Sequence, residues 1–251
     1  MAQVTLIGAG PGDPELMTRK AWRLLGEAHV VLHDALMDVE GMKAAAPQAD
    51  WLSVGKRAGR PAAEQAFICR SLVAFAHRGL RVVRLKGGDP SMFGRVSEEI
   101  EACRQAGVSV EVVPGVTSAC AAAADLQVGL TQRGVSRSVA FVTPRVARGE
   151  EENGAHWLHA AMTADTAVLY MAGRRAQEIC QQLIAAGKPA RTPICVVENA
   201  GGAGARLRTT LMAVARDGLP VFDGPVSLLV GEAMSQAVIA QASEPALACN
   251  V

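Results

Sequence analysis

Residues 82–95 are the part of this sequence best equipped to do chemistry. The stretch begins as an apolar, β-branched strand and breaks at Gly87-Gly88-Asp89-Pro90, a cluster that few regular elements accommodate. Two adjacent glycines leave the backbone N–H and C=O groups uncovered, so a ligand can approach the main chain closely. In open α/β sheets, ligands bind in the loops that follow the carboxyl ends of strands. The stretch therefore predicts either a ligand-binding loop or a plain tight turn between a strand and a helix.

The composition indicates a globular protein and argues against several classes of function. Half of the 251 residues are hydrophobic, one-fifth are charged, and the formal net charge is +1. No general attraction to nucleic acid or to a membrane surface is therefore expected. No basic segment followed by an apolar one opens the chain, and no apolar run has the length of a membrane span. These features predict a cytoplasmic protein.

The residues that commonly bind metals do not have the spacing of a metal site. The six cysteines are scattered, and none forms a Cys-x-x-Cys pair, so neither a disulfide framework nor a zinc site is indicated. His156 and His159 are one helical turn apart but have no evident third ligand, which favours a surface helix. We expect buried, reduced thiols and no metal.

Two α/β halves must position the glycine loop. Apolar runs alternate with amphipathic segments, which is typical of strands and helices in a parallel α/β arrangement. The sequence predicts two domains, residues 1–116 and residues 117–251. The predicted strands are 4–7, 30–32, 51–54, 82–85, 108–113, 138–143, 166–171, 194–197 and 226–230. The predicted helices are 63–77, 97–106, 119–124 and 177–186, and residues 208–215 are predicted to mix strand and helix.

The first glycine-rich loop, residues 8–14, favours a ligand other than a dinucleotide. The fingerprint Gly-x-Gly-x-x-Gly requires glycine at position 13, which is Asp13 in this sequence. Pro11 and Pro14 remove N–H donors where a pyrophosphate needs them, and the Asp13 carboxylate repels phosphate. A loop of this kind suits a ligand that is cationic or lacks phosphate.

Four segments together resemble the tetrapyrrole methylase family. They are VTLIGAGPGDPEL (4–16), VGKRAGR (54–60), VVRLKGGDPSMFGR (82–95) and VVPGVTSA (112–119), and shorter matches at 130–134, 170–171 and 197–200 extend the resemblance. It implies two α/β domains with S-adenosyl-L-methionine in the cleft between them, and a homodimer. It also implies C-methylation of uroporphyrinogen III to precorrin-2 by way of precorrin-1, a product that feeds sirohaem and cobalamin synthesis.

The resemblance also implies a set of site residues. Arg95 and Glu98 would be catalytic, with Arg95 stabilising the substrate carboxylates. The implied cofactor contacts are Pro11, Gly87, Gly88, Asp89, Thr117, Ser118, Met171 and Ala200. The implied substrate contacts are Asp34, Lys56, Arg57 and Arg133. Thr117 and Ser118 are equally well explained as caps of the following helix.

Basic residues recur near these motifs, in the group Lys56, Arg57 and Arg60 and in the group Arg81, Arg84 and Lys86. We expect them on solvated faces at the rim of the cleft, where they would attract a polycarboxylate substrate.

Some positions depart from the pattern of the family. Its members commonly show Tyr-Asp-Arg where this chain has His33-Asp34-Ala35, and histidine at the position of Gln132. These departures concern the substrate contacts rather than the cofactor site. Some relatives fuse a dehydrogenase–ferrochelatase domain, whereas methyl transfer alone is expected here. A methylase acting later in the corrin pathway, a dinucleotide-dependent oxidoreductase and a non-catalytic ligand sensor remain alternatives.

Overall fold

The computed structural model describes residues 3–35, 37–54, 65–144 and 155–239. The described residues form two five-stranded sheets flanked by helices, which confirms the predicted α/β class. The chain divides into two compact units. The first comprises Met1–Asp125, Glu198–Gly204 and Phe222–Ser227, and the second comprises Leu126–Val197, Ala205–Val221 and Leu228–Val251. The predicted domain boundary between residues 116 and 117 stays a prediction, since compactness alone does not define a domain.

The first sheet is entirely parallel and contains the five strands predicted for it. They are β1 (Val4–Gly8), β2 (Val30–His33), β3 (Asp50–Ser53), β4 (Val82–Lys86) and β5 (Val110–Val113). The spatial order is β3-β2-β4-β1-β5, and every pair is parallel. All residues of β1, β2 and β4 are buried, as expected for parallel strands covered on both faces.

Among the described residues, five helices accompany the first sheet, and four of them supply residues to the cores on its two faces. The five helices are α1 (Arg19–Gly26), α2 (Val39–Lys43), α3 (Gln65–His77), α4 (Val96–Gln105) and α5 (Ser118–Asp125). Leu6 belongs to one core with Leu72 and Cys103, whereas its neighbour Ile7 belongs to the other with Leu25. Successive side chains of a strand point to opposite faces, so β1 contributes to both cores.

The second sheet is mixed. Its strands are β6 (Val139–Val142), β7 (Thr166–Leu169), β8 (Pro193–Glu198), β9 (Arg206–Thr210) and β10 (Val226–Val230), in the order β6-β7-β10-β8-β9. The accompanying helices are α6 (Ala155–Thr163), α7 (Ala176–Ala185) and α8 (Leu211–Asp217). The predicted mixture of strand and helix at 208–215 is confirmed, because the Thr210 hydroxyl accepts from the Ala213 N–H and caps α8 where β9 ends.

The described cysteines are free thiols with different exposures. Cys103, Cys180 and Cys195 are buried, and burial raises the pKa of Cys103 and Cys195 to about 11 and that of Cys180 to about 12. Cys69 is half-buried and Cys120 is exposed. The expectation of burial is therefore wrong for Cys120, because α5 buries the neighbouring alanines on its other side. Within the described ranges, no cluster of three potential metal ligands occurs and no helix is long and apolar enough to cross a membrane.

Candidate functional site

Two glycine-containing loops are joined by backbone hydrogen bonds beyond the ends of β1 and β4. The N–H of Gly88 donates to the carbonyl of Gly10 at 2.6 Å, and the Gly10 N–H donates to the Gly88 carbonyl at 3.2 Å. The Ala9 N–H also donates to the Lys86 carbonyl at 2.8 Å. Because β1 lies between β4 and β5, the loops that follow all three strands emerge at the same edge of the sheet.

Glycine is required where these loops touch. A Cβ atom on Gly8 would lie 2.6 Å from the Gly115 nitrogen and 2.7 Å from the Gly88 oxygen. A Cβ atom on Gly115 would likewise collide with the Gly88 oxygen. No side chain fits at these distances, so the close approach of three backbones explains the glycines at positions 8 and 115.

Gly88 is different, because the space over its backbone is open. Its φ is +70°, which favours glycine, and a Cβ atom there would meet nothing nearer than the Thr117 Cα at 4.0 Å. Gly87 beside it is exposed. The chain thus presents an exposed Gly87 and a Gly88 with open space above it at the carboxyl edge of a parallel sheet, while the Gly88 N–H and C=O bond to Gly10. A ligand with hydrogen-bonding groups can approach this backbone closely.

The Asp89 side chain ties the β4 loop to the loop after β5. Its Oδ2 accepts from the Gly115 N–H at 2.9 Å, and its Oδ1 accepts from the Ser91 N–H at 2.8 Å and from the Ser91 hydroxyl. Burial raises the pKa of this carboxyl, but the hydrogen bonds from Ser91 and Gly115 outweigh that effect and hold the pKa below its ordinary value. Asp89 therefore fixes the geometry of the glycine loops, a function that sequence reasoning missed.

This linkage predicts a pH-dependent stability. A carboxyl with a lowered pKa in the folded state stabilises above its unfolded pKa of about 3.9, and the stabilisation is lost as the pH falls through the folded pKa. We expect Asp89→Asn to lower the melting temperature at pH 7, and the difference from wild type to shrink below about pH 4. Thermal melts of both proteins at pH 7 and pH 3 measure this difference in melting temperature. An equal difference at both pH values would contradict the assignment, and Asp50→Asn at an exposed position is the control.

Three further implied cofactor residues lie in the same unit as the glycine loops. Ser118 is the first residue of α5, and its hydroxyl oxygen lies 3.5 Å from that of Ser227. Pro11 packs against Gly201, where an added Cβ atom would be 2.8 Å from the Pro11 Cγ. Ala200, next to Gly201, is buried. Met171 belongs to the second unit, follows β7, and is 52% exposed.

Several residues near the ends of strands have a strained backbone. Phe93 and Arg95 follow β4, Met171 follows β7 and Asn199 follows β8, and all four have φ between +45° and +57°. Non-glycine residues rarely adopt this conformation, and such strain concentrates at functional sites. Arg95 and Met171 are both residues that the sequence singled out.

Arg95 and Glu98 form a bidentate ion pair at the start of α4. The Arg95 Nε and Nη2 donate to the two Glu98 carboxylate oxygens at 2.7 Å each, and both side chains are at least half exposed. The hydrogen bonds that Arg95 donates to Glu98 raise the pKa of Arg95 further above its ordinary value. Arg95 is therefore a permanent cation with the planar fork that binds carboxylates.

A cavity of about 590 Å³ adjoins Pro11 in the first unit. Its described lining includes three aspartates, Asp13, Asp38 and Asp223, and neither lysine nor arginine. The walls therefore favour a cationic group over an anionic one, in agreement with the preference inferred from Pro11 and Asp13.

Residues 3–215 match the model of the family described as Tetrapyrrole (Corrin/Porphyrin) Methylases. The chain belongs to the tetrapyrrole methylase family. The resemblance seen in the sequence is thereby confirmed, and it covers most of both units.

Relatives within the tetrapyrrole methylases agree with this assignment. Uroporphyrinogen-III C-methyltransferase of Cyanidium caldarium is 40% identical over 196 residues, which is 78% of each chain. Siroheme synthase 2 of Aeromonas hydrophila is 38% identical over 235 residues, covering 94% of this chain and 50% of that one. This chain thus spans about half the length of that relative. The structure of uroporphyrin-III C-methyl transferase from Thermus thermophilus complexed with S-adenyl homocysteine has a TM-score of 0.79 at 37% identity, covering 92% of this chain and 98% of that one.

The structure describes two of the four substrate residues that the family resemblance implies. Asp34 follows β2 and pairs with Arg84, and Arg133 is exposed in a turn of the second unit. Lys56 and Arg57 lie outside the described residues. The expectation that Arg84 and Lys86 occupy a solvated rim is wrong, because both are 3% exposed and bind Glu99.

Proposed function

We propose that this tetrapyrrole methylase transfers methyl groups from S-adenosyl-L-methionine to uroporphyrinogen III, giving precorrin-2 by way of precorrin-1. The observation that carries the proposal is an exposed Gly87 and the open space over Gly88, in the same unit as an aspartate-lined cavity. The names of the Cyanidium and Thermus relatives support the substrate, and the S-adenyl homocysteine in the Thermus structure supports the cofactor.

The described residues fit the cofactor chemically. Its sulfonium is cationic and it carries no phosphate, which suits walls that contain Asp13, Asp38 and Asp223. Its adenosine and methionine parts carry many hydrogen-bonding groups, which can reach the exposed Gly87 backbone and the second lone pair of the Gly88 carbonyl. When bound, S-adenosyl-L-methionine supplies an electrophilic methyl group.

The chain's own contribution is mainly binding and orientation. The substrate carries carboxylates on its peripheral arms, and Arg95 can bind one of them through two parallel hydrogen bonds. Holding the reacting atoms in near-attack geometry can lower the barrier by about 7–11 kcal/mol. A proton must then leave the methylated ring. Arg95 does not accept it, because its guanidinium stays protonated.

A turnover assay tests the proposal. We expect wild-type protein, incubated anaerobically with uroporphyrinogen III and S-adenosyl-L-methionine, to produce the absorbance of precorrin-2 through a singly methylated intermediate. Methylation of a later precorrin but not of uroporphyrinogen III would indicate another corrin-pathway methylase.

Ligand titration separates the remaining alternatives. We expect calorimetry to detect S-adenosylhomocysteine binding and no binding of NADH. Tight NADH binding without a response to S-adenosylhomocysteine would indicate an oxidoreductase, and S-adenosylhomocysteine binding without turnover on any precorrin would indicate a sensor.

Two accompanying proposals concern the state of the protein. We infer that it acts in the cytoplasm, as its sequence features predict, and as a homodimer, as the family resemblance implies. Multi-angle light scattering tests the second of these, and a monomer at assay concentration would contradict it.

A further inference from the structure

A cluster of buried charges lies beneath the loop that follows β4. Arg84 and Lys86 occupy alternate positions of β4, so their side chains share one face of the sheet. Both are 3% exposed, and Glu99 of α4 is 0% exposed. Asp34, after β2, completes the cluster with a side chain that is 30% exposed. Two cations and two anions therefore balance in a largely dry environment.

Glu99 is the centre of this cluster. Its Oε1 accepts from Lys86 Nζ at 2.9 Å, from Arg84 Nε at 3.1 Å and from Gln65 Nε2 at 3.1 Å. Its Oε2 accepts from Lys86 Nζ at 3.0 Å. One carboxylate thus orients two cations of β4 and a side chain of α3.

Arg84 transmits this orientation to Asp34. While its Nε is held by Glu99, its Nη1 donates to the carbonyls of Leu32 at 3.3 Å and Leu85 at 2.9 Å. These contacts fix the plane of the guanidinium and direct Nη2 at Asp34 Oδ1. The geometry of Asp34 is therefore set by a residue whose own geometry is set by Glu99.

Stability alone is a weak reason for such a cluster. Removing charges from water costs about as much as their mutual attraction returns, and apolar residues of similar volume are often as stable. Burial and the adjacent Arg84 lower the pKa of Lys86, and the Glu99 carboxylate opposes that shift. What the cluster does beyond stability is to fix the orientation of Asp34 at the carboxyl edge of the sheet, where the candidate site lies.

We propose that Glu99 is a positioning residue, which acts through Arg84 to aim the Asp34 carboxylate at the substrate. This inference rests on the proposed function and on Asp34 as the substrate contact that the family resemblance implies. It assigns a function to a glutamate that touches neither ligand.

The first test compares Glu99→Gln with Glu101→Gln. Glu101 is on the same helix but is exposed, and pairs only with Arg104 and Gln105 among the described residues. We expect Glu99→Gln to lower kcat by about 10- to 100-fold, since small misplacements near the reacting atoms have effects of this size. S-adenosylhomocysteine affinity should stay within about twofold of wild type, a change of roughly 0.4 kcal/mol. Glu101→Gln should match wild type throughout, and a wild-type kcat for Glu99→Gln overturns the proposal.

A double-variant cycle distinguishes positioning from general destabilisation. If Glu99 acts through Asp34, Asp34→Asn combined with Glu99→Gln is no slower than Asp34→Asn alone. If the kcat losses of the two single variants multiply in the double variant, the proposal is overturned. If Glu99→Gln does not fold, Arg84→Lys replaces it in the cycle, because lysine keeps the charge but cannot bridge Glu99 and Asp34.

Crystal structures test the inference without turnover. We expect Glu99→Gln to separate Arg84 Nη2 from Asp34 Oδ1 beyond about 4 Å, the limit of an ion pair, while Glu101→Gln leaves the contact in place. An unchanged contact in Glu99→Gln overturns the positioning proposal. Failure of wild type to methylate uroporphyrinogen III overturns only the proposed function, so the two failures are distinguishable.

Discussion

Gly88→Leu is expected to abolish S-adenosylhomocysteine binding while the protein stays folded. The leucine side chain would enter the open space over the loop, where a Cβ atom on Gly88 meets nothing nearer than 4.0 Å. We expect the dissociation constant to rise at least about 100-fold, which is about 2.8 kcal/mol. The left-handed φ of +70° adds strain of about 1–2 kcal/mol to the folded state. Calorimetry measures the affinity, and thermal melts measure the stability.

Gly107→Leu is the matched control for this variant. Gly107 also has a φ of +70° and open space around its missing side chain, but it lies between α4 and β5, away from the glycine loops. The two variants should therefore lose similar stability, and only Gly88→Leu should lose the ligand. Equal affinities in the two variants would mean that the cofactor binds elsewhere, and the proposed site would be wrong.

Arg95→Lys is expected to lower kcat/KM for the porphyrinogen by about 10- to 100-fold, because lysine cannot form the paired hydrogen bonds of a guanidinium with a carboxylate. The affinity for S-adenosylhomocysteine should not change. The fold should also be unaffected, since an exposed ion pair such as Arg95–Glu98 contributes only about 0–1 kcal/mol. Steady-state kinetics with uroporphyrinogen III as the varied substrate measure the effect.

Arg104→Lys provides the comparison for Arg95→Lys. Arg104 lies on the same helix, is exposed, and pairs with Glu101 three residues earlier, as Arg95 pairs with Glu98 three residues later. We expect its kinetics to equal those of wild type. If Arg95→Lys keeps the turnover and substrate affinity of wild type, the assignment of Arg95 to the substrate site is wrong.

Local patterns were sufficient for most of the fold. Strand β4 and the loop after it were predicted because β-branched residues precede a glycine pair and a proline, which leaves few conformations. The parallel arrangement followed from the alternation of strands and helices. Both bounds of α4 lie within one residue of the prediction; Gly107 indicates where the helix ends, whereas its start after a left-handed Arg95 is a feature of the structure.

The charged residues were harder to place. Arg84 and Lys86 are residue types that usually lie on the surface. Nothing adjacent in the sequence indicates that they form buried ion pairs with Glu99. The same applies to Asp89, whose partner Gly115 is 26 residues away. Burial of a charge depends on a partner supplied by another element, and sequence spacing does not show which elements meet.

The sequence by itself determined where the backbone is bare, since Gly87 and Gly88 have no side chains in any fold, and its motifs determined the family. Only the tertiary structure decided that Gly8, Gly88 and Gly115 meet at one edge of the sheet, and that a buried glutamate orients the cations beneath them. The physical reason is that local conformation depends on neighbours along the chain, whereas contact, desolvation and charge pairing depend on residues that folding brings together.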